Sequence, residues 1–453
     1  MADSRASDEP FERTLGLVQV TTSGVALIIG AGVYVLLAPA TERAGGLVWV
    51  SFIVAAVLCG LSAFSYMEMV SMFPKAGSEH EFARQVFPAR VAFVVGWAMA
   101  LALVVASATV SLGFARYLGA FVDVDERIGA IAILLVVALV SWLGMGKAMR
   151  VVAAFAVVEV GGLVLAIAIG LPRLGDHSLV SGGSFDGVLS AAALIFFAYI
   201  GFDEVTSLSE ETRDPRRTVP RALLLALAIS TVLYTGVAVA GVSVLGADEL
   251  GRSTRPMADI LETGLGSASS DVVSLIALFS TASTVLLALT ASARIMFGMA
   301  STGYLPGPLA RVHRGRVPQN ALILGTVIAA ALILLKDLDL LAASTDALVY
   351  LMFLVTNSAL IILRKRRPDA ERPFEVKGSI GWVPVVPSLA ILVTVVLAFR
   401  LEGRAVLLAV GLLVAGSLVR EIGGRRLTPF ETAGAERPVM DGGAEKPVMD
   451  GGA

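Results

Sequence analysis

Apolar residues run in long blocks along almost the whole chain, broken at short intervals by charged or Gly/Pro-rich punctuation. Twelve blocks are long enough, or nearly so, to cross a bilayer as helices. They fall at 15–41, 47–72, 90–119, 128–145, 150–171, 187–211, 220–245, 270–302, 319–336, 339–364, 383–400 and 404–420. The expectation is an all-α membrane protein with twelve transmembrane helices. Two blocks carry glycine where a membrane helix is least expected to bend. The first holds Gly30 and Gly32 within Val25–Pro39; the sixth holds Gly201, followed at once by Asp203 and Glu204. Each glycine costs a helix interior roughly 1 kcal/mol relative to alanine, so winding is predicted to fail there. Broken backbone at membrane depth exposes N–H and C=O groups that need protein or a polar ligand around them.

Such breaks have a use. The N-terminal end of a resumed half-helix presents free amides and partial positive charge, so Gly30-Ala31-Gly32 would cradle a carboxylate. The carbonyls ending the other half-helix, around Phe197, Ala198 and Ile200, would attract an ammonium group. Discontinuous helices five spans apart are also the pattern of a 5+5 inverted repeat with a binding site near the midplane. Together the breaks would hold a zwitterion.

Composition supports the membrane assignment: of 453 residues, 56% are hydrophobic and 16% charged, against about 25% charged in soluble domains. Mean hydropathy is +0.83. The polar start, residues 1–12, lacks the layout of a cleaved signal peptide and reads as a tail. With the N-terminus inside, inner loops carry eighteen Lys and Arg against eight outside, which places both termini in the cytoplasm. Cys59 is the only cysteine, and His80, His177 and His313 fall in loops. Neither a disulfide framework nor a metal cluster is expected. No cofactor is expected, nor a nucleic-acid partner. No phosphate-binding Gly-x-x-x-x-Gly-Lys-Ser/Thr loop occurs, so ATP is not the direct drive. The chain ends in a tandem nonapeptide, Glu436–Ala444 and Glu445–Ala453, expected to be disordered.

Several motifs occur in a telling order: Ile29-Gly-Ala-Gly-Val33; Ser65-Tyr-Met-Glu68 with Phe73-Pro-Lys-Ala-Gly77; Phe196-Phe-Ala-Tyr-Ile-Gly-Phe-Asp203; Ser209–Pro220; and Arg294 followed by Met299–Pro306. Over residues 12–400 the chain resembles the amino acid–polyamine–organocation family of secondary transporters, which have the LeuT-type fold. The resemblance implies repeats at 13–172 and 185–366, two further helices at 380–422, and a cytoplasmic tail from 423. It implies a multi-pass protein of the plasma membrane that moves amino acids by alternating access, as a proton-coupled symporter or an exchanger.

The implied site comprises Ile29, Gly30, Ala31, Gly32, Phe197, Ala198, Ile200, Gly201 and Phe202, with Phe202 and Tyr199 as an aromatic lid. Glu68 and Arg294 are placed at an inner gate. Ser283 and Thr284 lie beside the position of the second sodium ion in LeuT-like relatives. Some proton-coupled relatives carry a lysine in the fifth helix; its position here counts to Gly161, and the nearby charge is Glu159. An intramembrane carboxyl is functional by default, which makes Glu159 a candidate to load and release the coupling proton, with sodium the other candidate ion. After the second helix the usual Gly-Gly-x-Tyr is Gly77-Ser78-Glu79-His80. Val104, Val105 and Ala106 on the third helix lean toward a neutral substrate. Two other readings stand: a polyamine or organic-cation carrier using Asp203 or Glu204, and a sensor that binds amino acid without moving it.

Overall fold

The computed structural model describes residues 14–73, 78–143, 148–312 and 318–423. Gly77, His313 and the terminal nonapeptides lie outside these. The chain is helical nearly throughout: α1 (Leu17–Ile28), α2 (Ala31–Ala44), α3 (Val48–Met72), α4 (Ser78–Val86), α5 (Ala89–Leu118), α6 (Glu126–Leu143), α7 (Ala148–Gly170), α8 (Phe185–Ile195), α9 (Pro215–Leu245), α10 (Ala247–Arg252), α11 (Pro256–Leu265), α12 (Ser267–Ser301), α13 (Gln319–Ile333), α14 (Leu338–Arg366), α15 (Val385–Ala398) and α16 (Gly403–Gly423). A two-stranded hairpin, β1 (Ser379–Ile380) and β2 (Val383–Pro384), precedes α15. Among the described residues nine helical segments are long and apolar enough to cross a membrane. Three shorter apolar helices, α1, α13 and α15, accompany them.

The first predicted block is two helices. Ile29 (φ −79°, ψ 94°) and Gly30 (φ −132°, ψ −147°) leave helical geometry between α1 and α2. The sixth block breaks more thoroughly. After α8 comes a 3-10 turn, Phe196–Tyr199; Ile200 is extended and Gly201 has φ +107°; the chain resumes as a 3-10 run, Asp203–Glu211, rather than an α-helix. Asp203, Glu204 and Thr206 open this run, and the Thr206 hydroxyl bonds the Asp203 carbonyl at 2.6 Å. Such local side-chain bonds compete with α-helical pairing.

α5 is the central pillar, packed against α12, α14, α6, α13 and α4. α2 is buried from Ala31 to Thr41, wedged among α8, α10 and α5. α1 packs chiefly on α9 and the 203–211 run. The ends of the two broken segments are tied by backbone: Thr14 and Leu15 N–H donate to Glu211 O, and Arg213 N–H donates to Leu15 O at 2.9 Å. The outer faces of α6, α7, α13 and α16 expose Leu135, Leu139, Val157, Val327, Leu407 and Val410. An apolar mantle over a core with internally paired backbone suits lipid as solvent.

Ion pairs gather at the two ends of the bundle. At the α10–α11 end, Arg43 pairs with Asp339 (3.1 Å) and Glu402 (3.2 Å), and Arg404 with Asp337 (2.9 Å). At the α4 end, fully buried Glu68 on α3 accepts from Arg364 Nε at 2.9 Å and Nη2, and from Val376 N–H at 2.8 Å. Arg372 adds an ion pair at 3.3 Å. Glu68 thereby pins the stretch after α14 across the end of α3.

Candidate functional site: two helix breaks in contact

The glycines at the breaks are required by close approach. A Cβ on Gly32 would lie 2.5 Å from Ala198 Cα, and one on Gly201 would lie 2.6 Å from Leu27 O. The two unwound stretches therefore touch backbone to backbone. Gly30 faces α12, where an added Cβ would sit 2.8 Å from Thr284 Oγ1.

The polar groups at the junction are partly engaged. Ala31 N–H donates to Thr284 Oγ1 at 3.2 Å. No bond outside the helix is found for the Gly32 or Val33 amides among the described residues, as expected for a first helical turn without side-chain caps. Across the contact, Phe197 O accepts from Ile200 N–H at 3.2 Å and Ala198 O accepts from Tyr234 Oη at 3.1 Å. Each carbonyl keeps a second lone pair. Gly30, Ile200, Ser283 and Thr284 are half-buried amid buried neighbours, so accessible space reaches the junction. Amide donors and carbonyl acceptors thus lie on the two sides of the Gly32–Ala198 contact.

Tyr234 on α9 is the residue that sequence reasoning missed. Its hydroxyl lies 2.8 Å from Ile28 O and 3.1 Å from Ala198 O, so one side chain serves the end of both broken helices. The available signal was a tyrosine inside an apolar helix, whose hydroxyl must find a partner when buried.

Glu159, Ser283 and Thr284 do come together. Glu159 on α7 is 4% exposed, and Ser283 Oγ donates to its Oε1 at 3.4 Å. Tyr34, in the first turn of α2, donates to Glu159 O at 3.2 Å. The carboxyl is therefore linked through one turn of α12 to the amide of Ala31. Gly161 is not its inward neighbour: it is exposed with nothing within 4 Å of an added Cβ, whereas one on Gly162 would lie 3.0 Å from Tyr34 Oη. An α-helix turns by about 100° per residue, so a count off by one moves a position to another face.

Other expected residues sit apart from the junction or on other partners. Tyr199 is buried, donates to Phe52 O at 3.0 Å and meets Tyr234 edge-on. Phe202 packs between Tyr66 and Phe353. Asp203 accepts from Gly201 N–H at 3.2 Å, with Glu79 of α4 beside it. Glu68 pairs with Arg364 and Arg372, while Arg294 is exposed and has no ion pair among the described residues. Val104 faces Gly325 of α13.

Long apolar helices in this number define the class of multi-pass membrane proteins. The amino acid permease family matches residues 15–411, and the chain belongs to that family. It is 30% identical to the branched-chain amino acid permease BcaP of Bacillus subtilis (strain 168), over 87% of this chain and 90% of that one. It is 28% identical to the methylthioribose transporter of the same organism, over 92% and 94%. It is 29% identical to the vacuolar cationic amino acid transporter 4 of Arabidopsis thaliana, over 80% and 65%.

Proposed function

We propose that this protein carries a neutral amino acid, of the branched-chain kind, across the plasma membrane by alternating access. The observation that supports the reading is the backbone contact of Gly32 with Ala198, which brings the start of α2 beside the carbonyls of Phe197 and Ala198. At the Gly30–Gly32 break the substrate carboxylate binds the Gly32 and Val33 amides, since the Gly30 and Ala31 N–H groups already donate to Ile28 O and Thr284 Oγ1; its ammonium binds the carbonyls around Phe197, Ala198 and Ile200, and Ile29 borders the site. The likeness to BcaP supports a branched aliphatic side chain.

In this reading the twelve helical segments form the LeuT-type arrangement, with 13–172 and 185–366 as inverted repeats, 380–422 as two added helices, and both termini cytoplasmic. α2 is buried on all sides while α1 leans on α9 and the 203–211 run; movement of α1, α3, α9 and the sixth segment opens each side in turn. Glu159, with Ser283 and Thr284, carries the coupling proton, because among the described residues it joins a buried carboxyl to the first broken helix.

A methylthioribose carrier would leave both dipole ends of the junction without a charged group to bind. A cation carrier would need a free acid there, and Asp203 already accepts from Gly201 N–H, with Glu79 beside it. Counterflow of labelled leucine in proteoliposomes, with methylthioribose, arginine and putrescine as competitors, tests the reading. Exchange of leucine blocked by other neutral amino acids is expected. Leucine binding without exchange would instead identify a sensor, and selective exchange of a competitor would reassign the substrate.

A further inference from the structure

Asp346 lies on α14, fully buried, and neither of its carboxyl oxygens has a hydrogen-bond partner among the described residues. It belongs to a stripe at helical spacing, Asp346, Tyr350, Phe353 and Asn357, that seats α14 on α3 and the sixth segment. Tyr350 donates to Ala193 O at 3.1 Å and packs on Phe196. Phe353 meets Tyr66, Phe196 and Phe202. Asn357 bonds Ser62 and Ser65. The polar groups of Tyr350 and Asn357 are satisfied by this seam, and that of Asp346 is not.

Of the titratable groups around Asp346, Arg43 at the end of α2 acts on it, and Asp346 in turn acts on Cys59 of α3 and Tyr350 of its own helix. Arg43 is committed to Asp339 and Glu402, and Asp339 sits two turns nearer the start of α14. A bare carboxylate without hydrogen bonds in such surroundings is far costlier than the neutral acid. While the seam is packed, the carboxyl therefore keeps its proton.

We propose that Asp346 is a proton-binding site that loads and unloads as the α14 stripe parts from α3 and the sixth segment, a second acid beside Glu159. Unloading breaks the carboxyl O–H bond and passes the proton to water entering the parted seam; loading reverses this, with no other product. By linkage, the proton favours the packed seam and its loss favours the parted one.

The transport readout rests on the amino acid reading above; a spectroscopic one does not. The full chain is reconstituted in liposomes as wild type, Asp346→Asn and Asp346→Glu, and pH-difference infrared spectra are recorded. A carboxylic acid C=O band lacking a hydrogen bond is expected in the wild type, absent from Asp346→Asn and shifted in Asp346→Glu. The shift decides the matter if the asparagine variant does not fold. For leucine uptake, the ratio of acidic to neutral rates is expected to fall in Asp346→Asn without reaching unity, because Glu159 remains, with counterflow at equal pH retained. Superimposable spectra for the variants and wild type would overturn the proposal, as would an uptake ratio unchanged in Asp346→Asn. Absence of leucine transport in the wild type would overturn only the substrate reading, because the infrared band would still report the proton.

Discussion

Gly32 and Ala198 are so close that a methyl group on the first would stand 2.5 Å from the Cα of the second. The obstacle is backbone, which cannot rotate away as a side-chain tip can. Gly32→Ala must push the two unwound stretches apart, at a cost of about 1–3 kcal/mol for an overpacked site. The variant is expected to insert in the membrane, lose leucine counterflow and unfold at lower temperature. Gly201→Ala adds the strain of a non-glycine residue at φ +107° and should be at least as severe. Normal transport by both variants would remove the contact from the mechanism.

Tyr234→Phe removes one hydroxyl and leaves the Ala198 carbonyl short of a donor, while Ile28 O keeps the Gly30 N–H. An unsatisfied buried acceptor costs about 1–3 kcal/mol. Because the carbonyls belong to opposite breaks, the loss should appear in substrate affinity as well as in thermal stability. Phenylalanine keeps the ring contacts with Phe52 and Tyr199, so stability lost with affinity unchanged would make Tyr234 a packing residue only.

The breaks were legible because paired glycines in an apolar run have few other physical uses. Their mutual contact was not, because it joins residues more than 160 positions apart and no local pattern encodes it. Tyr234 looked like one more aromatic in a membrane helix. The partner of Glu68 was not legible for a related reason: Arg364 sits in a run of four basic residues that reads as a topology signal, and the fold-back that buries it follows the helix. The 3-10 character of 203–211 escaped because apolar periodicity does not distinguish a tight helix from an α-helix over nine residues.

Glu159 reaches the first break through Ser283 and Thr284 of α12. Glu159→Gln keeps the shape and both hydrogen-bonding edges while removing the exchangeable charge. Accumulation driven by an imposed proton gradient is expected to fall by tenfold or more, about 1.4 kcal/mol per decade, while counterflow at equal pH persists. Full gradient-driven accumulation in this variant would exclude Glu159 from coupling.

His80 lies outside the membrane-spanning helices, on α4, with Nδ1 2.8 Å from Ala92 O and its ring edge-on to Tyr304. Burial holds its imidazole below the ordinary range; the Ala92 carbonyl opposes that shift, and Arg84 adds to it. The unfolded chain therefore binds a proton more readily than the folded one. The stabilising effect is complete above about pH 6.5 and is lost as pH falls toward the lower folded value. Thermal unfolding of the wild type should drop more steeply on acidification than that of His80→Gln. Parallel curves would show that His80 titrates alike in both states.

Glu68 is fully buried and meets Arg364, Arg372 and the Val376 amide. Removing one member of a buried pair costs about 3–5 kcal/mol, because the remaining charge stays desolvated. In Glu68→Gln two guanidinium groups would be left facing a neutral amide, and, among the described residues, the stretch from Arg367 to Pro384 would keep only its Ser71–Phe374 bonds to α3. If this network is a static brace, thermal stability and transport should fall together, and pre-stabilising the protein elsewhere should restore transport. A gate makes the opposite prediction: stability nearly unchanged, with uptake and release altered unequally. Measuring unfolding temperature beside both directions of leucine flux separates the two, and the buried, fully bonded geometry favours the brace.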